Sequence, residues 1–248
     1  MSKHFELMQQ LERDHSFASD STTAPTTARL PQFFNGTISK RWASEEALRL
    51  VQQVFLLKAS EPPRVVVFAA IDPGNGCSQI SASVAETLAV SAGGPVCLVD
   101  ANLRSPSMSG MFGMTNHNGL TNSMTENGPV ISFANPVAGQ NLWLLSSGSV
   151  TADSPSLLSS QTLRDRIAEL RREFEFVIVD APPLTRYSDA VVVSQLADGL
   201  VLVLEADSTR RDAAAVAVST LRSVNVPVLA AVLNKRTFPI PDKLYKRL

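Results

Sequence analysis

Six short apolar runs recur along the chain, and none of them alternates with polar residues: "RVVVFAA" (64–70), "PVCLVD" (95–100), "NLWLLSS" (141–147), "FVIVD" (176–180), "GLVLVLEA" (199–206) and "VPVLAAVLN" (226–234). Continuous β-branched runs of this length predict strands buried on both faces. Helical spacing fills the gaps. Leu48, Val51 and Phe55 follow Ser44, a plausible N-cap with Glu45 and Glu46 behind it, and predict a helix to about Lys58, ended by Pro62 and Pro63. The stretch from Cys77 to about Ser91 predicts a second helix, and Leu163, Ile167, Leu170 and Phe174 mark a third. Thr209 and Asp212 suggest a capping box opening a fourth, which continues through Val216 and Leu221. The alternation predicts an α/β fold, a mostly parallel sheet with helices on both faces.

The N-terminal stretch has no such pattern. Residues 16–39, "SFASDSTTAPTTARLPQFFNGTIS", are rich in Ser, Thr and Pro and carry little that could offset the entropy cost of folding. Residues 1–40 are therefore expected to be a disordered arm, with "FELMQQLERD" at most a short amphipathic helix, and residues 41–248 a single domain.

Composition narrows the function. In 248 residues, 44% are apolar, which is ample for one core, and the net charge of -1 argues against a general nucleic-acid binder. The two cysteines, Cys77 and Cys97, make no disulfide framework, and scattered His4, His15 and His117 make no metal site, so a reducing cytoplasm fits best. No apolar stretch reaches the ~20 residues needed to cross a bilayer, and the N-terminus lacks a signal-peptide core. A soluble chain is expected, peripheral at a membrane only through a partner.

Ligands of parallel sheets bind beyond the carboxyl ends of the strands, where this chain has "DPGNGCSQ", "DANLRSP" and "DAPP". Gly74 and Gly76 permit the positive-φ turns that let consecutive amides surround a phosphate, with the helix from Cys77 adding its dipole. Ser78 is placed to give its hydroxyl to Mg²⁺, and Asp180 ends a strand of Walker B form. The loop lacks its lysine, because Cys77 stands between Gly76 and Ser78. A dinucleotide reading with Asp100 as ribose ligand is weakened by Gln79, which occupies the place of a third glycine.

In order, "VVVFAAIDPGNGCS", "VCLVDANLRSPS", "GLTNSM", "NLWLLSSG", "SPSLLSS", "FVIVDAPPL", "SDA" and "LVLVLEA" resemble the cytoplasmic domain of bacterial tyrosine kinases, the BY-kinases of capsule and exopolysaccharide assembly, over about residues 44–234. The resemblance implies a P-loop NTPase-like fold. It also implies a nucleotide site formed by Pro73, Gly74, Asn75, Gly76, Cys77, Ser78, Gln79, Arg104 and Asn234, and a Mg²⁺ site formed by Ser78, Asp100, Asn102 and Asp180. Asp100 would be catalytic if the site is active. Asn234 fits base recognition by analogy with related P-loop proteins and fits a turn residue equally well.

Departures from that family fall on charged positions. The loop lysine is Cys77, the second aspartate of the second motif is Asn102, and the C-terminal tyrosine cluster is reduced to Tyr245, with Tyr187 the only other tyrosine. The family's Glu-x-x-Arg-x-x-Arg oligomerisation motif survives as Glu46, Arg49 and Gln52, which puts ring assembly in doubt. Removing one transition-state cation can cost ~10³ in phosphoryl-transfer rate, and cysteine cannot replace it.

The first expectation is a BY-kinase-like regulator of polysaccharide biosynthesis or export with a degenerate site and weak or absent kinase activity. ATP or ADP with Mg²⁺ would be its cofactors only if the site works. The implied partner is a separate transmembrane co-polymerase or export adaptor, with a homo-oligomer also open. One alternative is an active ATP-dependent tyrosine autokinase in which Arg104 or a neighbouring subunit's cation replaces the lysine. Another is a MinD- or ParA-like positioning ATPase, which the missing early loop lysine speaks against.

Overall fold

The computed structural model describes residues 45–57 and 61–236, so the expected N-terminal arm and Tyr245 lie outside the described residues. A helix α1 over residues 45–51 widens into a π-helical turn, Gln52–Leu56. Next come β1 (Val65–Ala70), α2 (Cys77–Ser91), β2 (Val96–Asp100) and the short helices α3 (Met108–Met111) and α4 (Leu120–Thr125). A two-residue strand β3 (Asn135–Pro136), β4 (Leu142–Leu145), α5 (Gln161–Glu173) and β5 (Phe176–Ala181) follow. The described chain closes with α6 (Asp189–Ser194), β6 (Gly199–Glu205), α7 (Arg211–Ser223) and β7 (Val228–Asn234). Single 3₁₀ turns at Val130–Phe133 and Ser154–Ser159 connect the elements between α4 and α5.

The strands form one seven-stranded sheet in the order β3-β4-β2-β5-β1-β6-β7. All pairs are parallel except the hairpin-like β3–β4 contact. Alternation along β1 shows why its residues are all apolar. Val65, Val67 and Ala69 face a core layer built with Leu163, Ile167 and Leu170 of α5, Val193 of α6 and Leu221 of α7. Val66, Phe68 and Ala70 face the opposite layer, built with Val84, Ala85 and Leu88 of α2 and Val51, Val54 and Phe55 of α1. Fully burying a side chain such as Phe68 stabilises the fold by about 1.5–3 kcal/mol, so a polar residue on either face would be costly.

The expected helix caps need one correction. Helix α5 has a cap not anticipated from its apolar spacing, the Ser160 hydroxyl accepting from the Leu163 amide. Helix α7 has no capping box. Its N-cap is Arg210 without a side-chain cap, because the Thr209 hydroxyl is already used as acceptor for the Glu205 amide at 2.8 Å. Thr209 thus closes the turn leaving β6.

Candidate nucleotide site

Strands β1, β2 and β5 are neighbours in the sheet, so their carboxyl ends bring the three sequence clusters to one crevice. A cleft of about 700 Å³ opens there. It is lined by Pro73, Gly74, Asn75, Gly76, Cys77, Ser78 and Gln79 from the first cluster and by Asn102 and Arg104 from the second. Asp100 and Asp180 lie fully buried beneath it, and Asn234 does not line it.

The loop from Asp72 to Gly76 is held by its own asparagine. Asn75 is only 2% exposed; its Oδ1 accepts from the Asp72 amide at 2.9 Å, and its Nδ2 donates to Glu205 Oε2 at 3.0 Å. Its carbonyl in turn accepts from Asn234 Nδ2 at 2.8 Å. Lys235 Nζ reaches the same Glu205 carboxylate at 3.1 Å. These contacts place Gly76 at φ 84°, in the left-handed region, as the N-cap of α2. A Cβ there would run into the Asn234 amide, so only glycine permits both the backbone conformation and the brace. The amide of Asn234 that could read a base edge is engaged on the loop.

Position 77 points inward. The Cys77 side chain joins the core layer beneath the loop, with Sγ 4.0 Å from Ser81 Oγ. Burial, reinforced by the neighbouring Asp180 carboxylate, pushes this thiol well above the ordinary cysteine range. It is therefore neutral, and the thiolate that an exposed helix N-terminus would favour does not form here. Cys97 is fully buried in β2 and equally inert.

The two aspartates sit side by side because Asp100 and Asp180 are register partners on β2 and β5. Asp180 Oδ2 accepts from Ser78 Oγ at 2.6 Å and Oδ1 from Ser81 Oγ at 3.0 Å. Burial, and after it the charge of Asp100, push Asp180 up to about 7. Asp100 is pushed up to about 6 by burial, against the pull of backbone amides. Its Oδ2 accepts from the amides of Ser107 and Met108 at 3.1 and 3.0 Å, and its Oδ1 from that of Asn102 at 3.2 Å. In this arrangement Asp100 organises the loop into α3. Asn102 Oδ1 turns back to the Ser105 amide at 3.3 Å.

Arg104 also has a structural job. Its Nε donates to Asp189 Oδ2 at 2.8 Å, and its guanidinium lies 4.1 Å from the centroid of the Tyr187 ring. Asp189, Ser81, Glu205 and Lys235 are thus site residues that motif reading left unassigned. Two had a visible signal: Ser81 lies one helical turn beyond Cys77, and Asp189 is the acid of "SDA".

The loop has the backbone form of a phosphate cradle, with Gly74 and Gly76 left-handed and the α2 N-terminus opening behind them. Position 77 offers a buried neutral thiol and position 102 a neutral amide. Among the described residues no group of three or more His, Cys, Asp or Glu side chains is clustered to hold a metal ion.

Residues 63–246 match the family described as ParA, NUBPL iron-transfer P-loop NTPase. The chain belongs to the ParA family of P-loop NTPases. The chain is similar to tyrosine-protein kinase YwqD of Bacillus subtilis (strain 168), 28% identical over 198 residues that cover 80% of this chain and 83% of that one. It is similar to the putative tyrosine-protein kinase CapB of Staphylococcus aureus, 25% identical over 79% of this chain and 86% of the relative. The succinoglycan biosynthesis transport protein ExoP of Rhizobium meliloti (strain 1021) is 28% identical over 71% of this chain, which spans only 23% of that protein. Among solved structures, the VpsO kinase domain superposes with a TM-score of 0.73 at 23% identity, covering 82% of this chain and all of that domain. MinD of Pyrococcus horikoshii with Mg-ADP gives a TM-score of 0.60 at 17% identity over 74% of this chain and 76% of that one. The predicted fold and family resemblance both hold.

Proposed function

We propose that this ParA-family chain is a BY-kinase-like regulator of polysaccharide biosynthesis or export whose nucleotide site binds ATP–Mg²⁺ weakly and whose phosphotransfer is weak or absent. One observation carries the reading: the position that should present an ammonium to the phosphates presents a thiol turned into the core and kept neutral there. The neutral Asn102 supports it. The polysaccharide setting rests on the similarity to ExoP, whose name is that of a succinoglycan biosynthesis transport protein. The partner is then a separate transmembrane co-polymerase or export adaptor; among the described residues no helix is long and apolar enough to cross a membrane.

Calorimetric titration with ATP and Mg²⁺ tests the site. The expected dissociation constant is weaker than micromolar, because a charge-assisted contact to phosphate and one carboxylate near the metal are both missing. A micromolar or tighter value would overturn the reading.

Phosphotransfer is tested separately. Protein incubated with ATP and Mg²⁺ is expected to gain no mass of phosphate, and Tyr187→Phe and Tyr245→Phe to change nothing. Phosphate on Tyr245 in a sample free of other kinases would instead make the chain an active autokinase, as its relatives' names suggest.

A further inference from the structure

The cleft contains cations that the P-loop motif does not account for. Arg104, Arg186 and Lys235 all line it. Arg104 is committed to Asp189 and Tyr187, and Lys235 to Glu205. Arg186 is exposed and has, among the described residues, no side-chain partner.

Its position is not left to chance. The segment after β5 is tied to the start of the P-loop by the Leu184 amide donating to the Ala70 carbonyl at 2.9 Å and the Thr185 amide to the Ile71 carbonyl at 3.1 Å. The Thr185 hydroxyl adds contacts to the Ile71 carbonyl at 2.8 Å and to Asp72 Oδ1 at 2.9 Å. Immediately afterwards the Arg186 and Tyr187 amides both turn back to the Pro183 carbonyl at 3.3 Å. The two middle residues of that turn, Leu184 and Thr185, are themselves the clamp on the P-loop, and Arg186 is the residue that follows them. On its other side Tyr187 is pinned beneath Arg104. The backbone that carries Arg186 is thus fixed from both sides, while its guanidinium is left to solvent and the cleft.

We propose that Arg186 supplies the cation for a phosphate held in the amide cradle, the role that Cys77 leaves unfilled. The inference rests on the reading of the cleft as a weakened nucleotide site and names the residue that gives the site its remaining affinity. A guanidinium suits this role because it stays charged and can meet two phosphate oxygens at once. The ligand class is a nucleoside di- or triphosphate whose retention depends on arginine more than on a metal. Asp180, buried and bonded to two hydroxyls, and Asp100, bonded to three backbone amides, are consistent with that order of importance.

The test is titration of the full chain with ATP in EDTA, for the parent, Arg186→Ala and Arg186→Lys, with thermal melting of each to check folding. Saturable binding in the millimolar range or tighter is expected for the parent. Arg186→Ala should weaken it by about tenfold or more with an unchanged melting temperature, and Arg186→Lys should recover part of the loss. Equal binding by parent and Arg186→Ala overturns the proposal, and so does a parent that shows no saturable binding at all. Micromolar binding of ATP with Mg²⁺ by the parent would instead remove the weak-site reading, and the comparison of Arg186→Ala with the parent would still judge Arg186.

Discussion

Cys77→Lys combined with Asn102→Asp is expected to tighten ATP–Mg²⁺ binding by at least roughly tenfold, ~1.4 kcal/mol. The loop that would receive the new ammonium is already in place. Gly76 is left-handed and braced, Ser78 points at Asp180, and Cys77 both lines the cleft and touches the core below. A lysine rooted there starts beside the buried Asp180 carboxylate, which is a favourable counter-ion, and its four-carbon stem is long enough to turn from the core back towards the cleft that position 77 also lines. Aspartate at 102 restores a negative charge to the loop facing the metal position. A second readout comes from Asp180, whose pKa the new ammonium should lower. If the double variant folds and binds no better than the parent, the cradle does not serve phosphate at all. The chain would then keep only the architecture of its enzyme relatives.

A larger effect is expected in stability against pH. In metal-free buffer the two buried aspartates should cost the protein stability as pH rises from about 4 to beyond 7, and Asp180→Asn should remove the larger share of that loss and leave the part that belongs to Asp100. The sign follows from the raised folded pKa, about 7 against an ordinary 3.8. Below the ordinary value both folded and unfolded states hold the proton, and burial exacts no charge penalty. Between the two values the unfolded chain releases its proton while the folded one retains it, so stability falls until the folded group ionises and then levels off. A shift of this size corresponds to something on the order of 2–4 kcal/mol, the lower end allowing for the Asp100 charge that shares the cost. Asparagine can still accept from the Ser78 or Ser81 hydroxyl and carries no charge to desolvate. Denaturant unfolding at pH 5 and pH 8 measures it. A slope unchanged in Asp180→Asn would show that another group carries the dependence.

Much of the architecture was legible because parallel strands buried on both faces leave unbroken apolar runs, and β1, β2, β5 and β6 fall within the predicted stretches apart from one residue, Ala181, beyond the predicted end of β5. Helices α2 and α5 were equally visible from spacing. The short helices α3, α4 and α6 were not, since four to six residues are too few for a 3.6-residue period to declare itself. The site's motif residues were legible because glycines and strand-end acids carry local meaning. Their tasks were not. That Arg104 serves Asp189 depends on a contact across 85 positions, which no motif contains, and that Asp100 gathers backbone amides depends on how the loop after β2 folds back over 2 to 8 positions, which residue types alone do not state. Thr209 misled for a related reason: its hydroxyl suits a helix cap, but the turn leaving β6 claims it.

The brace between Asn75 and Asn234 spans 159 positions of sequence, and this has a consequence for how the molecule is made. During synthesis the P-loop leaves the ribosome early, yet its asparagine anchor, its Glu205 contact and the neighbour that crowds Gly76 are translated long afterwards. Contacts this distant in sequence form late and slowly. The nascent chain therefore carries an unbraced glycine-rich loop until β6 and β7 dock, and the phosphate cradle becomes a single defined shape only when the last strand of the sheet is laid down.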